Sequence, residues 1–258
     1  MGREDMRSAG PALTGIFDRI YVINLPERTD RRAEISEQLQ LIGLDLDVGA
    51  VRRIDAVRPD AQGKWPSLGA RGCYASHLQV LQEAAVDGLQ SVLILEDDMN
   101  WSPTFLRDPD AALSALAAPE WGYVHGGSAE YTRDRRALSL VSIEPAAELL
   151  HSHFIAFRAP YIAEAAKFLE AMAAREPGDP CGGPMDVDGA YNWVRRAAAG
   201  MEARMFESGI AYQRASRTDI DRLGWKDRWR GVAKVVAFLR KVRNRFRGVN
   251  RTKQGGMQ

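Results

Sequence analysis

Cysteine is scarce in this chain of 258 residues, which has only Cys73 and Cys181. Two cysteines cannot build a disulfide framework or a four-thiolate zinc site, so we expect two reduced and buried thiols. Long apolar runs are also missing, since no stretch approaches the roughly 20 residues that a membrane-spanning helix needs. Residues 1–10 combine charges of both signs with no apolar segment, and no secretory signal is visible there. These absences predict a cytoplasmic protein.

Net charge is almost absent from the whole chain, at +1, but it is unevenly distributed. Residues 225–258 contain eleven Lys or Arg and one acidic residue, Asp227, so the rest of the chain carries −9. An acidic body is not typical of nucleic-acid-binding proteins, and we expect no nucleic acid partner. Apolar residues at three- and four-residue spacing from Val232 to Phe246 predict a basic amphipathic helix.

That helix has two possible places. It can dock on its own domain, or it can lie through residues 225–250 on an anionic membrane surface, where each basic residue contributes about 1 kcal/mol. The membrane surface accounts for both the apolar stripe and the excess of positive charge. It would make the protein peripheral on the inner face of the membrane.

The order of predicted elements favours an α/β fold. A strand at residues 19–25, a helix capped by Thr29 or Asp30, and a weaker strand at residues 46–56 form a βαβ unit, which implies a parallel sheet. Further along, residues 138–143 and 149–157 read as two strands joined by a turn. We expect a loose leader at residues 1–15, one three-layer α/β domain at residues 16–224, and a basic tail at residues 225–258.

Residues 91–98 are the stretch around which the rest is organised. An apolar run, too short for a helix, leads directly into Glu96, Asp97 and Asp98. The run predicts a strand buried on both faces, and ligands of open α/β sheets bind beyond the carboxyl ends of such strands. Three adjacent carboxylates are costly to bury without a cation, which favours a metal site. A solvated acidic turn fits these eight residues equally well.

Three blocks of sequence resemble glycosyltransferase family 25, which includes lipopolysaccharide core galactosyltransferases and relatives of the collagen galactosyltransferases. The blocks are residues 20–32, residues 72–77 with 93–98, and residues 184–188 with Gln213 and 216–220. The resemblance covers about residues 18–222. It implies a GT-A-like fold, a UDP-sugar donor, a divalent cation such as Mn²⁺ or Mg²⁺, and inverting transfer of a hexose. It further implies that the hexose is galactose and that the acceptor is a glycan or glycolipid, for example in lipopolysaccharide biosynthesis.

The donor side of the expected site lies after the first strand. Arg28, Arg31 and Arg32 stand at the start of the first helix, where the helix N-terminus and guanidinium forks both favour a diphosphate. A solvated basic turn is the alternative for at least one of them. Asn24 and Leu25, at the tip of the strand, are expected to meet the base or ribose.

The acidic residues divide between metal and catalysis. Because side chains alternate along an extended chain, Glu96 and Asp98 are expected on one side and Asp97 on the other. Asp98 is assigned to the metal, Glu96 to the ribose or the metal, and Asp97 is an alternate ligand. Asp188 matches the acidic position of the family and is the expected general base.

Asp186 is the second candidate base but is expected to serve as a helix cap instead, while Asp188 has first-turn stabilisation of the same helix as its alternative. His77, His151 and His153 are expected to be structural.

A different class of function also fits the sequence. A GT-A-like shell without catalysis can serve as an interaction or membrane-scaffold protein. A metal-dependent phosphohydrolase fits less well, because only one tight acidic cluster is visible.

Overall fold

The computed structural model describes residues 8–127 and 138–214. Helices and strands in these ranges are named here in chain order. They are α1 (Ala9–Ile16), β1 (Arg19–Asn24), α2 (Thr29–Leu41), β2 (Val51–Asp55), α3 (Leu68–Val86), β3 (Ser91–Glu96), β4 (Met99–Trp101), α4 (Pro103–Arg107), α5 (Asp110–Ala117), β5 (Tyr123–His125), β6 (Leu140–Ser142), β7 (Phe154–Arg158), α6 (Tyr161–Ala174), α7 (Val187–Ala197), β8 (Ala203–Phe206) and β9 (Ala211–Gln213).

Seven of these strands form one sheet in the order β2-β1-β3-β7-β5-β8-β6. β1, β2, β3, β5 and β8 run in one direction, whereas β6 and β7 run in the other. β3 lies inside the sheet, between β1 and β7, and its residues from Ser91 to Leu95 are buried. The predicted central strand and the mostly parallel sheet are therefore confirmed.

Helices cover both faces of this sheet. Leu93 and Leu95 of β3 pack into a core that includes residues of α1, α2 and α5, and Val92 and Ile94 pack into a second core with α3, α6 and α7. Strand alternation thus sends successive residues of one strand into two different cores. This is the three-layer α/β sandwich predicted for a GT-A-like domain, and the predicted fold class is confirmed.

The expected loose leader is wrong for residues 9–15. They belong to α1, which buries Ala9 and Leu13 and is followed by the buried Phe17. The helix packs closely, because a Cβ at Gly10 would lie 2.5 Å from the carbonyl oxygen of Ile42. An eight-residue helix that contains a proline gives too little periodicity to be recognised in the sequence.

The two strands expected at residues 138–143 and 149–157 are both present but shorter, as β6 (Leu140–Ser142) and β7 (Phe154–Arg158). β6 is an edge strand beside β8, whereas β7 lies between β3 and β5, so the two are not neighbours. Leu149 instead exchanges both of its backbone hydrogen bonds with the side-chain amide of Asn192 on α7, each at 3.0 Å. Residues 149–153 therefore do not belong to the strand that was expected to begin at Leu149, and a side chain of α7 bonds to the Leu149 backbone.

Helix boundaries differ from expectation at two places. Arg28, not Thr29 or Asp30, is the N-cap residue of α2, and its side chain makes no capping bond. α3 begins at Leu68 because the Ser67 hydroxyl accepts a hydrogen bond from the Ala70 amide, although the sequence of residues 60–72, rich in Gly, Pro and polar residues, predicts a loop. The predicted C-terminal basic helix lies outside the described residues. No helix among those described is both long and apolar enough to cross a membrane.

Candidate active site

A cavity of about 270 Å³ opens at the carboxyl ends of the parallel strands β1, β2 and β3. Six of the predicted site residues line it, namely Leu25, Arg28, Arg31, Glu96, Asp97 and Asp98. The other four predicted site residues, Asn24, Arg32, Asp186 and Asp188, are not among its lining residues. A larger cavity of about 560 Å³, between α5 and the edge strand β6, contains none of the predicted site residues. The smaller cavity is therefore the candidate site.

Asp97 is held by two side chains. Nη1 of Arg31 donates to its Oδ1 at 2.8 Å, and Nδ2 of Asn24 donates to its Oδ2 at 2.7 Å. Burial raises the pKa of Asp97, although the charge of Arg31 and both hydrogen bonds oppose this rise. Asn24 is almost fully buried in this contact. Asp97 therefore orients the side chains of Arg31 and Asn24. This contact differs from the expected role of Asp97 as an alternate metal ligand and from that of Asn24 as a residue that meets the base or ribose.

Asp98 has a different environment. Its Oδ2 accepts a hydrogen bond from Nε2 of Gln213 at 3.3 Å and lies 3.4 Å from Nη1 of Arg31. Its Oδ1 is buried and has no hydrogen-bond partner among the described residues. Burial, and after it the charge of Glu96, raise the pKa of Asp98 to about 7. A buried oxygen of this kind beside two further carboxylates fits a divalent cation, since hard cations take oxygen ligands.

Glu96 faces α3. Its Oε1 accepts hydrogen bonds from the Ser152 hydroxyl, from Nε2 of His77 at 3.3 Å and from the Cys73 thiol at 3.9 Å. Burial raises the pKa of Glu96, but the hydrogen bonds that it accepts from His77 and Ser152 outweigh this and bring the pKa to about 2. The expectation that the side chains of Glu96 and Asp98 point to the same side of the chain is wrong. The chain turns after Glu96, so Asp97 and Asp98 share Arg31 instead.

His77 is a core histidine, as predicted from the sequence. It is fully buried, and its Nδ1 lies 2.9 Å from the Tyr191 hydroxyl. Ligand atoms of Cys73, His77 and Glu96 lie within 4.8 Å of one another, a spacing that could hold a metal ion. Each of the three already has a hydrogen-bond partner, so the cluster is explained without an ion. Both cysteines are free, and Cys181 is exposed, contrary to the expectation that both are buried.

The predicted bases lie at the start of α7. Oδ2 of Asp188 accepts a hydrogen bond from the His151 amide at 3.0 Å, and Oδ1 accepts one from the Gly189 amide at 2.7 Å. Ser152, the residue after His151, donates to Glu96, so one short segment touches both acids. Asp186 is the N-cap residue of α7, as expected, although its side chain makes no capping hydrogen bond.

A family model described as glycosyltransferase family 25 (LPS biosynthesis protein) matches residues 17–145. The matched half of the chain contains β1, α2, α3 and β3, and with them every residue that lines the candidate site. This chain belongs to glycosyltransferase family 25. The resemblance predicted from the three sequence blocks is confirmed.

Curated relatives carry the same family name. A glycosyltransferase 25 family member of Anopheles gambiae is 30% identical over 129 residues, which are 43% of this chain and 22% of that protein. Procollagen galactosyltransferase 1 of Danio rerio is 22% identical over 156 residues, 54% of this chain and 26% of that protein. The inactive glycosyltransferase 25 family member 3 of Homo sapiens is 31% identical over 105 residues, 34% of this chain and 18% of that protein. The chain spans about a quarter of the length of such relatives.

One solved structure is a glycosyltransferase involved in the glycosylation of the major capsid of PBCV-1. It has a TM-score of 0.48 and 10% identity, and the match covers 77% of this chain and 94% of that one. At this level of similarity it supports no argument about the site of this family 25 domain.

Arg214 contacts the acidic turn beside the cavity, and the sequence did not indicate this. Its Nη2 donates to the Asp97 carbonyl at 2.8 Å and lies 2.9 Å from Oε2 of Glu34, while Nη1 donates to Oδ1 of Asn100 at 2.5 Å. The antiparallel pairing of β4 with β9 brings it there, next to Gln213. No local pattern predicts a contact between residues so far apart, although the family resemblance had already pointed to Gln213.

Three histidines lie beside the acidic turn. Nε2 of His125 donates to the His151 carbonyl at 2.7 Å, and its Nδ1 accepts from the Gly127 amide at 3.1 Å. Burial lowers the pKa of His125 to about 3 and that of His153 to about 4, so both rings are neutral. His125 fits a structural role, whereas both ring nitrogens of His153 are buried without a hydrogen-bond partner among the described residues, so its structural role stays a prediction. His151 and His153 precede β7 and do not lie on a strand. Gly127 meets the backbone of Gly209, since a Cβ there would lie 2.4 Å from the Gly209 Cα.

Proposed function

We propose that this family 25 domain transfers a hexose from a UDP-sugar to a glycan or glycolipid acceptor, with inversion and with the help of a divalent cation. The observation that carries the proposal is the buried Oδ1 of Asp98, which lacks a hydrogen-bond partner in the described chain and belongs to a cavity lined by Arg28 and Arg31. A free carboxylate oxygen and two guanidinium groups together suit a metal-bound diphosphate.

Donor binding is assigned to the first two elements of the site. Arg28 and Arg31 lie at the N-terminus of α2, where guanidinium groups and the helix dipole both favour the diphosphate. Leu25, at the end of β1, lines the same cavity and can contact the base or ribose. Asp98 would hold Mn²⁺ or Mg²⁺, which supplies neutralisation of the charge that develops on the leaving diphosphate. Glu96 contributes to the metal or to the ribose.

Acceptor activation is assigned to Asp188. A base must take the proton from the acceptor hydroxyl as that oxygen attacks the anomeric carbon, and a carboxylate need only be ionised and correctly placed. Hydrogen bonds from the His151 and Gly189 amides place Asp188, and further lone pairs of its oxygens remain to accept the proton. Asp186, exposed at the same helix end, is the second candidate.

The most specific part of the proposal is that the sugar is galactose and that the acceptor is lipopolysaccharide. They are supported by the description of the family model, which names lipopolysaccharide biosynthesis, and by the relative named procollagen galactosyltransferase 1. A panel of UDP-sugars tests this directly by measuring UDP release with Mn²⁺ and with a chelator. We expect release from UDP-galactose that requires the metal. Equal release in the chelator would remove the metal from the proposal.

A non-catalytic scaffold is the second candidate. Arg31 contacts both Asp97 and Asp98 and so provides these carboxylates with a countercharge that needs no metal. One curated relative is named as inactive. Titration with UDP and Mn²⁺ separates the two functions, since a scaffold need bind neither.

A further inference from the structure

The orientation of Glu96 depends on a buried chain of side chains that runs back to α7. Among the described contacts, every hydrogen bond to the Glu96 side chain falls on Oε1, and His77 provides one of them. A carboxylate can only accept, so Nε2 of His77 carries the proton in this contact. In the neutral ring Nδ1 is then an acceptor, and the Tyr191 hydroxyl donates to it at 2.9 Å.

Tyr191 is itself rigidly placed. It is 2% exposed and its ring packs edge-on against His77 and tilted against Phe157 and Tyr123. It lies on α7, one turn after Asp188, so the proposed base and the hydroxyl that orients His77 belong to the same helix. A second route closes a ring, because Asp188 accepts from the His151 amide and the adjacent Ser152 donates to Glu96.

We propose that His77 and Tyr191 are positioning residues that hold the Glu96 carboxylate in a fixed orientation relative to Asp188. The donor side of the site, at the end of β3, and the acceptor side, at the start of α7, are thereby kept in register. The inference rests on the proposed function for the roles of Glu96 and Asp188. The hydrogen-bonded chain itself does not depend on that function.

Tyr191→Phe is the direct test, because it removes one hydroxyl and keeps the ring. The matched control is Tyr74→Phe, which removes another buried tyrosine hydroxyl whose partner is the Leu169 carbonyl at 2.7 Å, away from Glu96. Both variants lose one buried hydrogen bond, so we expect similar decreases in melting temperature. Only Tyr191→Phe should weaken the binding of UDP with Mn²⁺, by about threefold to tenfold, the equivalent of one neutral hydrogen bond.

Proton NMR of the histidine rings reports on the chain independently of activity. The protein has four histidines, few enough to assign by substituting the other three singly. In the wild type we expect the Nε2 proton of His77 to exchange slowly with solvent and to resonate downfield. In Tyr191→Phe it should exchange faster and move upfield, and in Tyr74→Phe it should not change. A wild-type ring with its proton on Nδ1 would overturn the proposed chain.

A double-mutant cycle separates failure of this inference from failure of the proposed function. Tyr191→Phe and Glu96→Gln are made singly and together, and unfolding in urea is measured for each. Because His77 joins the two residues by hydrogen bonds, we expect the loss in the double variant to be smaller than the two single losses combined. Additive losses would overturn the positioning role even if the protein binds UDP.

Coupling without any binding of UDP would overturn the proposed function and leave the hydrogen-bonded chain standing. If the wild type binds UDP and Tyr191→Phe binds it with unchanged affinity, the hydrogen-bonded chain contributes only to stability, and its positioning role is overturned.

Discussion

At the scale of single residues, Asp188 is the proposed general base. Asp188→Asn should leave UDP binding with Mn²⁺ intact and lower transfer by roughly 10²–10⁴-fold, because removing a base affects the chemical step more than ground-state binding. The measurement is kcat with UDP-galactose beside the dissociation constant of UDP.

An asparagine side chain has one oxygen, whereas the two oxygens of Asp188 accept separate hydrogen bonds from the His151 and Gly189 amides. The melting temperature of the variant is therefore measured as a control for local rearrangement. Transfer within a few-fold of wild type would move the base elsewhere. Asp186→Asn would then be the next variant.

His125 gives a prediction for the pH dependence of stability. Its pKa is lowered from 6.5 to about 3 by burial, so below pH 6.5 the unfolded state binds a proton that the native state does not. Stability that is fully present above pH 6.5 is therefore lost as the pH falls towards 3, at up to about 1.4 kcal/mol per pH unit.

Urea unfolding of wild type and His125→Gln at pH 7 and pH 5 checks this. The variant should lose less free energy of unfolding between the two pH values than the wild type. The raised pKa of Asp98 has the opposite effect, but it is common to both proteins. Equal losses would mean that His125 does not titrate as its burial requires.

Sequence patterns gave the correct positions of those site residues that a local signal marks, while their roles stay predictions. Arg28 and Arg31 precede or begin a helix after a strand, and His77 lies on the buried face of a helix, so each was placed correctly. Asp98 was assigned to the metal for its position at a strand end, an assignment that remains a prediction. Arg214 and Glu34 were missed because their contacts depend on β9 pairing with β4, which no local pattern encodes.

At the scale of elements, α1 is the part that sequence reasoning missed most completely, and it makes a stability prediction. Leu13 is fully buried, so Leu13→Ala should lower the free energy of unfolding by about 2–5 kcal/mol, the usual cost of such a truncation. The matched control is Leu41→Ala on α2, where the leucine is 39% exposed and the cost should stay below about 1 kcal/mol. Urea denaturation measures both. Equal costs would show that α1 is a loose leader after all.

Elements were predictable where a local signal sufficed. β3 was recognised from its apolar run, and the start of α7 from Asp186 as its expected cap. β6 and β7 were recognised from two apolar stretches around a turn in residues 138–157, but their partners in the sheet were not. Their true partners, β8 for one and β3 and β5 for the other, are distant in sequence, and a hydrophobic pattern does not encode such pairing.

At the scale of the whole molecule, the contrast between an acidic body and a basic tail predicts membrane attachment. The tail, residues 225–258, lies outside the described residues, and its placement remains a prediction from sequence. Full-length protein and a truncation after Leu223 are compared by co-sedimentation with anionic vesicles. We expect the full-length protein to pellet and to be released by high salt, because attraction between exposed charges is screened. Equal pelleting of both proteins would remove the membrane from the account.

The central claim is that Asp98 joins a divalent cation to a nucleotide diphosphate in the cavity of this family 25 domain. Isothermal titration of UDP, with and without Mn²⁺, tests it in the wild type, in Asp98→Asn and in Asp110→Asn, whose carboxylate is exposed on α5. We predict that Mn²⁺ tightens UDP binding by about tenfold or more in the wild type and in Asp110→Asn, and by less than about twofold in Asp98→Asn. Full enhancement by Mn²⁺ in Asp98→Asn would contradict the claim.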